Sequence, residues 1–185
     1  LDAPMISFGG VIVDQHGFIE RFPATSMLTG LIANALGWDH SEADKLQALQ
    51  DRIDFAARWD VPPEPIVDYH TVDLSQPKML GYATKPRDPK GGWTTRGVPD
   101  YRSGGSAQVG THQRYRHYWV DGLMTLVLAL KTEDELCINQ VAEAIRRPAR
   151  PLFLGRKTCL PARPLLDPHT PIVEGDDLLS ILRNV

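Results

Sequence analysis

Apolar residues along this chain change their spacing several times, and each change marks an element. Leu1–Ile6 is apolar and is punctuated by Ser7-Phe8-Gly9-Gly10, which predicts the end of a strand and a glycine turn that approaches other backbone closely. Residues 11–22 hold no sustained period and read as irregular. After Pro23, the apolar positions Leu28, Leu31, Ile32, Ala35 and Leu36 fall on one helical face, with Thr25 or Ser26 as N-cap and Gly37 as the stop. Gly30 inside that helix costs roughly 1 kcal/mol relative to alanine, which predicts a close backbone contact at that point. Ser41 and Asp44 resemble a capping box opening a second helix, whose Leu46, Leu49, Ile53 and Ala56 share a face up to Trp59.

Val61-Pro62-Pro63 breaks the chain, and Ile66–Val72 alternates as a strand does. Leu74–Gly110 has four prolines among its glycines and no period. A stretch of that kind inside a domain is functional or disordered, and the aromatics Tyr82, Trp93 and Tyr101 favour function. Tyr115–Lys131 is the strongest strand signal, and within it Met124–Leu130 is an unbroken apolar run suited to a central strand covered on both faces. Glu133–Arg147 reads as a helix with Leu136, Val141, Ala144 and Ile145 inward, stopped by Pro148. Leu152-Phe153-Leu154 reads as a strand ended by Gly155-Arg156-Lys157, and Asp176–Arg183 as a short closing helix after the proline-rich 161–171. The order predicts an α+β fold, a βαββαβ split sheet of the ferredoxin-like, RNA-recognition-motif type. Its boundaries are one domain over 1–185, an insertion over 74–115, and a short strand, loop and helix over 152–185.

Composition narrows the class. At 42% hydrophobic and 23% charged residues, the chain is an ordinary globular sequence that can bury a core without staples. The two cysteines, Cys137 and Cys159, lack metal-ligand spacing and read as reduced, partly buried thiols, so no metal or cofactor is expected. No apolar run approaches the ~20 residues of a membrane span, and no charged-then-apolar leader precedes the first strand. A cytoplasmic protein away from membranes is expected. The start at Leu1 without methionine reads as a loss of a few residues, which would clip the first strand.

The net charge of −3 conceals strong segregation. From Lys78 to Arg116 there are eight bases (Lys78, Lys85, Arg87, Lys90, Arg96, Arg102, Arg114, Arg116) against Asp88 and Asp100. From Ile145 to Leu166 there are six bases and no acid. Such segments either create a local positive field suited to a phosphate backbone or are simply solvated basic loops.

Three stretches then carry a family resemblance. Met5-Ile6-Ser7-Phe8-Gly9-Gly10 is similar to an "M-x-S-(W/F)-G-G" opening. Arg21-Phe22-Pro23-Ala24-Thr25-Ser26, running into Gly30–Gly37, resembles a proline-Thr/Ser entry to an apolar helix ending in Leu-Gly. Phe153–Cys159, with Pro161 and Arg163-Pro164-Leu165, is similar to an "F-x-G-R-(K/R)-x-C-x-P-x-R-P-L" signature. In order across most of the chain, they resemble the CasD family, subunits of the type I-E Cascade surveillance complex of CRISPR antiviral defence. Thr94-Thr95-Arg96-Gly97 and Arg114–Tyr118 also resemble that family's thumb and the strand it returns to.

The resemblance implies a modified RNA-recognition motif with an inserted β-hairpin thumb that caps the 5′ handle of the CRISPR RNA. The implied protein neighbours are a backbone subunit and the large subunit, with target DNA touched only indirectly. It further implies no catalysis by this subunit. Three devices would hold the RNA. The helix start, with Arg21, Thr25 and Ser26, offers backbone N–H groups and hydroxyls to a phosphate, or is an ordinary cap. The insertion offers Arg96, Arg102, Arg114 and Arg116, with Trp93 either stacking on a base or pinning a neighbouring protein. Arg156 and Lys157 follow a glycine turn, or are a solvated strand end. The alternative is a metal-independent endoribonuclease that processes precursor RNA through Tyr69-His70 or His112 and His117. Adjacent Tyr69 and His70 on a strand face opposite ways, which weighs against that pair.

Overall fold

The computed structural model describes residues 1–73, 91–93, 99–101, 111–132 and 136–185. They fall into two compact units: Leu1–Val11, Phe18–Ile66 and His117–Val185 in the first, Ile12–Gly17 and Val67–Arg116 in the second. The architecture is mixed α and β.

The first unit is organised on an antiparallel ladder between β4 (Ile53–Val61) and β9 (Leu123–Leu130). Here the helical pattern misleads. Helix α2 (Ala43–Arg52) stops at Arg52, and Ile53 onward is strand rather than a continuation to Trp59. The residues from Ile53 also carry a period of two: Ile53, Phe55, Ala57 and Trp59 pair with Leu130, Leu128, Leu126 and Met124. That row of apolar cross-strand pairs outweighs a last helical turn. The capping box differs too. Glu42 is the N-cap, and the Ser41 hydroxyl donates to the Asp39 carboxylate at 2.8 Å.

Helix α1 (Thr25–Leu36) forms where its periodicity places it and ends at Gly37 in the left-handed region, φ +77°. It packs against α2, β4 and α3 (Ile138–Arg146), enclosing a core of Leu28, Ile32, Leu49, Ile53 and Val141. Helix α3 begins after its N-cap Cys137, later than the predicted Glu133; residues 133–135 lie outside the described ones. Leu136 still packs on that core from just before the helix. Among the described residues the contact predicted at Gly30 is absent: a Cβ there would meet none of them within 4 Å.

A second core holds Ala3, Ile6, Phe8, Tyr118, Met124, Leu154 and Cys159. Leu152–Leu154 is not a strand. The Ser7 N–H donates to the Leu154 carbonyl at 3.1 Å, and the Leu154 N–H donates to the Cys159 carbonyl at 2.7 Å. The turn at Gly155, φ +96°, closes the chain into a loop before any ladder can extend. Cys159 is buried and Cys137 exposed, both as free thiols, and burial pushes the Cys159 thiol up. Helix α4 (Leu178–Asn184) packs on β4 and β9, held there by the Arg58 guanidinium, which donates to the carbonyls of Leu182 and Val185.

The strand signal over 115–131 is two strands, β8 (Thr111–Val120) and β9, separated by Asp121, φ +56°, and Gly122. Nor is β9 central. Among the described residues it pairs with β4 on one side, while its other edge meets only Leu1 and Asp2. Beyond them it walls a groove of about 1210 Å³, whose lining includes Leu28, Ile32, Val141 and Ile145. The short β1 (Met5–Ile6) pairs antiparallel with the end of β8.

The glycine turn at Gly9-Gly10 and the stretch 11–22, read as irregular, instead hold strands β2 (Gly9–Val13) and β3 (His16–Ile19), neighbours in a sheet, with Asp14 at φ +51° in the turn. In the second unit, β3 runs parallel to β8 with His16 opposite Tyr115 and Gly17 opposite Arg116. Strand β5 (Glu64–Asp73) also pairs with β8, and β6 (Gly91–Trp93) pairs antiparallel with β7 (Pro99–Tyr101). No helix among the described residues is long and apolar enough to cross a membrane.

Candidate nucleic-acid interface

In the first unit, the candidate residues sit on backbone that tryptophans hold in place. The Trp119 indole N–H donates to the Glu20 carbonyl at 2.8 Å, and that of Trp59 donates to the Arg21 carbonyl at 3.0 Å. The Glu20 N–H in turn donates to the Phe8 carbonyl at 2.7 Å. Arg21 is thereby fixed through its main chain while its side chain is exposed, with no hydrogen bond or ion pair among the described residues.

The entry to α1 differs from the expectation. Its N-cap is Ala24, extended at φ −82° and ψ 155°, with no side-chain cap; Thr25 is already the first helical residue. The Ala24 carbonyl accepts from the N–H groups of Met27 and Leu28. With alanine at the cap, the Thr25 and Ser26 hydroxyls do not close the helix end. Ser26 is exposed, and the Thr25 carbonyl accepts from the Thr29 hydroxyl at 2.9 Å.

The Gly155-Arg156-Lys157 turn packs close to the same helix, since Met27 of α1 rests against the core that contains Leu154 and Cys159. Its two bases have different surroundings. Arg156 donates to the His117 carbonyl at 2.9 Å, and its guanidinium lies 4.8 Å from the centroid of the Tyr118 ring. Lys157 is exposed and makes no bond among the described residues. The rest of this basic segment is engaged as Arg156 is. Arg150 donates to the Gly37 and Trp38 carbonyls at the end of α1, Arg146 and Arg147 pair with Glu143, and Arg163 pairs with Asp2. Counting charges along the sequence overstates the cation available here.

In the second unit, Arg114 donates to the Asp14 carbonyl at 2.8 Å, bracing the turn between β2 and β3. Arg116 is half-buried on β8 with no bonded partner among the described residues. Trp93 lies on β6 with Pro99 opposite it. Arg96 and Arg102 lie outside the described residues, as do Lys78, Lys85, Arg87 and Lys90.

The structure thus brings Arg21, Thr25, Ser26, Arg156 and Lys157 into one unit, and Trp93, Arg114 and Arg116 into the other. The sequence reading missed Trp59 and Trp119, whose only local signal was two large aromatics in strands. It also missed a row of rings in the second unit, His16, Tyr115 and Tyr69. Among the described residues, no group of histidines, cysteines and carboxylates could hold a metal ion.

The profile of the family described as CRISPR-associated protein (Cas_Cas5) matches residues 1–184. The CRISPR system Cascade subunit CasD of Escherichia coli (strain K12) is 28% identical over 165 residues, covering 89% of this chain and 66% of that protein. A chain of a solved CRISPR RNA-guided surveillance complex superposes with a TM-score of 0.63 at 25% identity, covering 89% of this chain and 58% of that one. A crystal structure of a Cas protein, at 23% identity and a TM-score of 0.58, shares the fold over 98% of this chain and 66% of its own. The chain therefore spans about two thirds of the length of the curated relative.

Proposed function

The chain belongs to the CRISPR-associated Cas5 family, and from that premise we propose that it is a non-catalytic subunit of an RNA-guided surveillance complex, holding the 5′ handle of the CRISPR RNA. The observation that carries this reading is the family match over residues 1–184, joined by the likeness to a Cascade subunit over 89% of the chain. Its protein partners are a backbone subunit and the large subunit of the complex, DNA is engaged only through them, and the complex works in the cytoplasm.

The finer architecture belongs to the same reading. The β4–β9 ladder, with α1 against β4 and α3 against α1, is the RNA-recognition-motif core. Residues 74–115 are the thumb, and the antiparallel β6–β7 pair within them is its hairpin.

Physically, a single-stranded handle needs cations that are not consumed inside the protein, and donors for its phosphates. Arg21, Lys157 and Arg116 meet the first need. The Ala24 entry to α1 meets the second, because no side-chain cap occupies it. Arg156 and Arg114 serve instead by shaping the backbone on which those groups sit.

The test is binding of the purified chain, or of its complex, to guide RNA with and without the 5′ handle. Preference for the handle-bearing RNA is expected, and equal affinity for the two sinks the proposal. Incubation with precursor RNA in EDTA separates holding from cutting. The precursor should stay intact; specific cleavage that disappears on His117→Ala or His70→Ala would establish an endoribonuclease in its place.

A further inference from the structure

Three aromatic rings cross the second unit on three paired strands: His16 on β3, Tyr115 on β8 and Tyr69 on β5. His16 and Tyr115 are cross-strand partners with rings 4.7 Å apart and only 10° from parallel. Tyr69 follows at 5.1 Å from Tyr115, and it is 50% exposed. Side chains alternate along a strand, so the charged neighbours fall on the opposite face. Asp68 and His70 pair with each other at 2.5 Å on the far side of β5, and Arg114 and Arg116 lie on the far side of β8. Val67, 54% exposed, shares the face of Tyr69.

The result is an aromatic row ending in an open ring. Cross-strand packing accounts for the contact between His16 and Tyr115, which cover one another. It does not account for a half-exposed tyrosine at the end of the row, beside an exposed valine. Among the described residues of these strands, the basic side chains next to Tyr69 and Tyr115 in sequence, His70, Arg114 and Arg116, point away from this face. The face suits a flat, uncharged π system lying on the ring.

We propose that Tyr69 is a stacking platform for one unpaired nucleobase of single-stranded RNA, with Tyr115 and His16 stiffening it from behind. This rests on the RNA-holding function proposed above and adds a contact that reads a base face rather than a phosphate. Stiffness matters because a ring already held against a neighbour loses little freedom when a base settles on it.

The experiment uses the full chain and a handle-bearing guide RNA with 2-aminopurine placed at one handle position at a time. In the unsubstituted protein, binding should quench the fluorescence at one position. Tyr69→Ala should abolish that quenching and weaken affinity roughly 5- to 100-fold. The slope of affinity against salt should be unchanged, since no charge is lost. Tyr69→Phe should behave as the parent. Unchanged affinity and quenching in Tyr69→Ala overturns the proposal, and so does a Tyr69→Phe variant as weak as the alanine one. If Tyr69→Ala disturbs β5, the parent protein alone decides: bound RNA with no quenched position overturns the platform. Loss of complex assembly with RNA affinity intact would assign the patch to a protein partner and also overturns it. Failure of the parent to bind RNA at all defeats the RNA-holding function itself, a separate outcome.

Discussion

Gly155 sits at φ +96°, and a Cβ placed there would lie 1.7 Å from the Ser7 carbonyl oxygen. No side chain fits, because the clash is with backbone and the dihedral is one that L-residues avoid. Gly155→Ala should destabilise the protein by about 3 kcal/mol, read as a lower urea midpoint. Gly30 supplies the control. It is exposed inside α1 with no described residue within 4 Å of a Cβ, so Gly30→Ala should raise stability by up to about 1 kcal/mol. If both substitutions moved the midpoint in the same direction, the contrast would fail. In the sequence both glycines signalled a close backbone approach, one inside a helix and one in the turn ending a strand. What separates them is a segment distant in sequence, which brings Ser7 against one, while no described residue lies against the other. The same limit applies to Arg156 and Lys157, adjacent bases of which the first is tied to His117 and Tyr118 and the second faces solvent.

Among the elements, those legible in sequence are the ones with a single consistent period and clear ends. Helix α1 has its stripe and its left-handed Gly37, and β5 has its alternation after Pro62-Pro63. Elements decided by partners were hidden. Ile53–Trp59 carries both helical and strand periods, and the apolar face of β9 settles it. Strand β2 escaped because Val11, Ile12 and Val13 are all exposed, so no buried face imprints an alternation, and β3 is only four residues long. Helix α4 is short, and its start depends on one side chain. Asp177 accepts from the backbone N–H groups of Leu179 and Ser180, each at 2.9 Å, and from the Ser180 hydroxyl. The Ser180 hydroxyl, followed by these N–H groups, holds the Asp177 carboxyl below the usual carboxylate range. A pKa depressed in the folded state stabilises above the unfolded value and loses that contribution as pH falls through the folded one. Acidification below about pH 4 should therefore loosen the α4 start, seen as coupled shifts of the Leu179 and Ser180 amide resonances. Asp177→Asn, which keeps an acceptor without a titrating charge, should flatten that dependence.

For the molecule as a whole, formal charge is a poor guide and available charge a better one. Fourteen of the chain's 20 bases fall in two segments, which pointed to RNA before any fold was in view. In the 145–166 segment, however, most of those bases cap a helix, brace a loop or pair with a carboxylate. Spacing along the chain reveals only the local pairs of Arg146 and Arg147 with Glu143; the partners of the other three, Gly37 and Trp38, His117 and Asp2, are far away in sequence. The consequence can be measured through counterion release. For a single-stranded ligand, each phosphate neutralised contributes about 0.7 to the slope of log affinity against log salt. Arg21→Ala, Lys157→Ala and Arg116→Ala should each flatten that slope by about this amount for handle-bearing RNA. Arg150→Ala and Arg163→Ala should leave it unchanged, although they remove the same formal charge. Lys157 and Arg116 lie in different units, so if each grips the RNA independently, their losses in the double variant should add. A slope that responds equally to all five substitutions would mean that only net charge matters, and the residue assignments would be wrong.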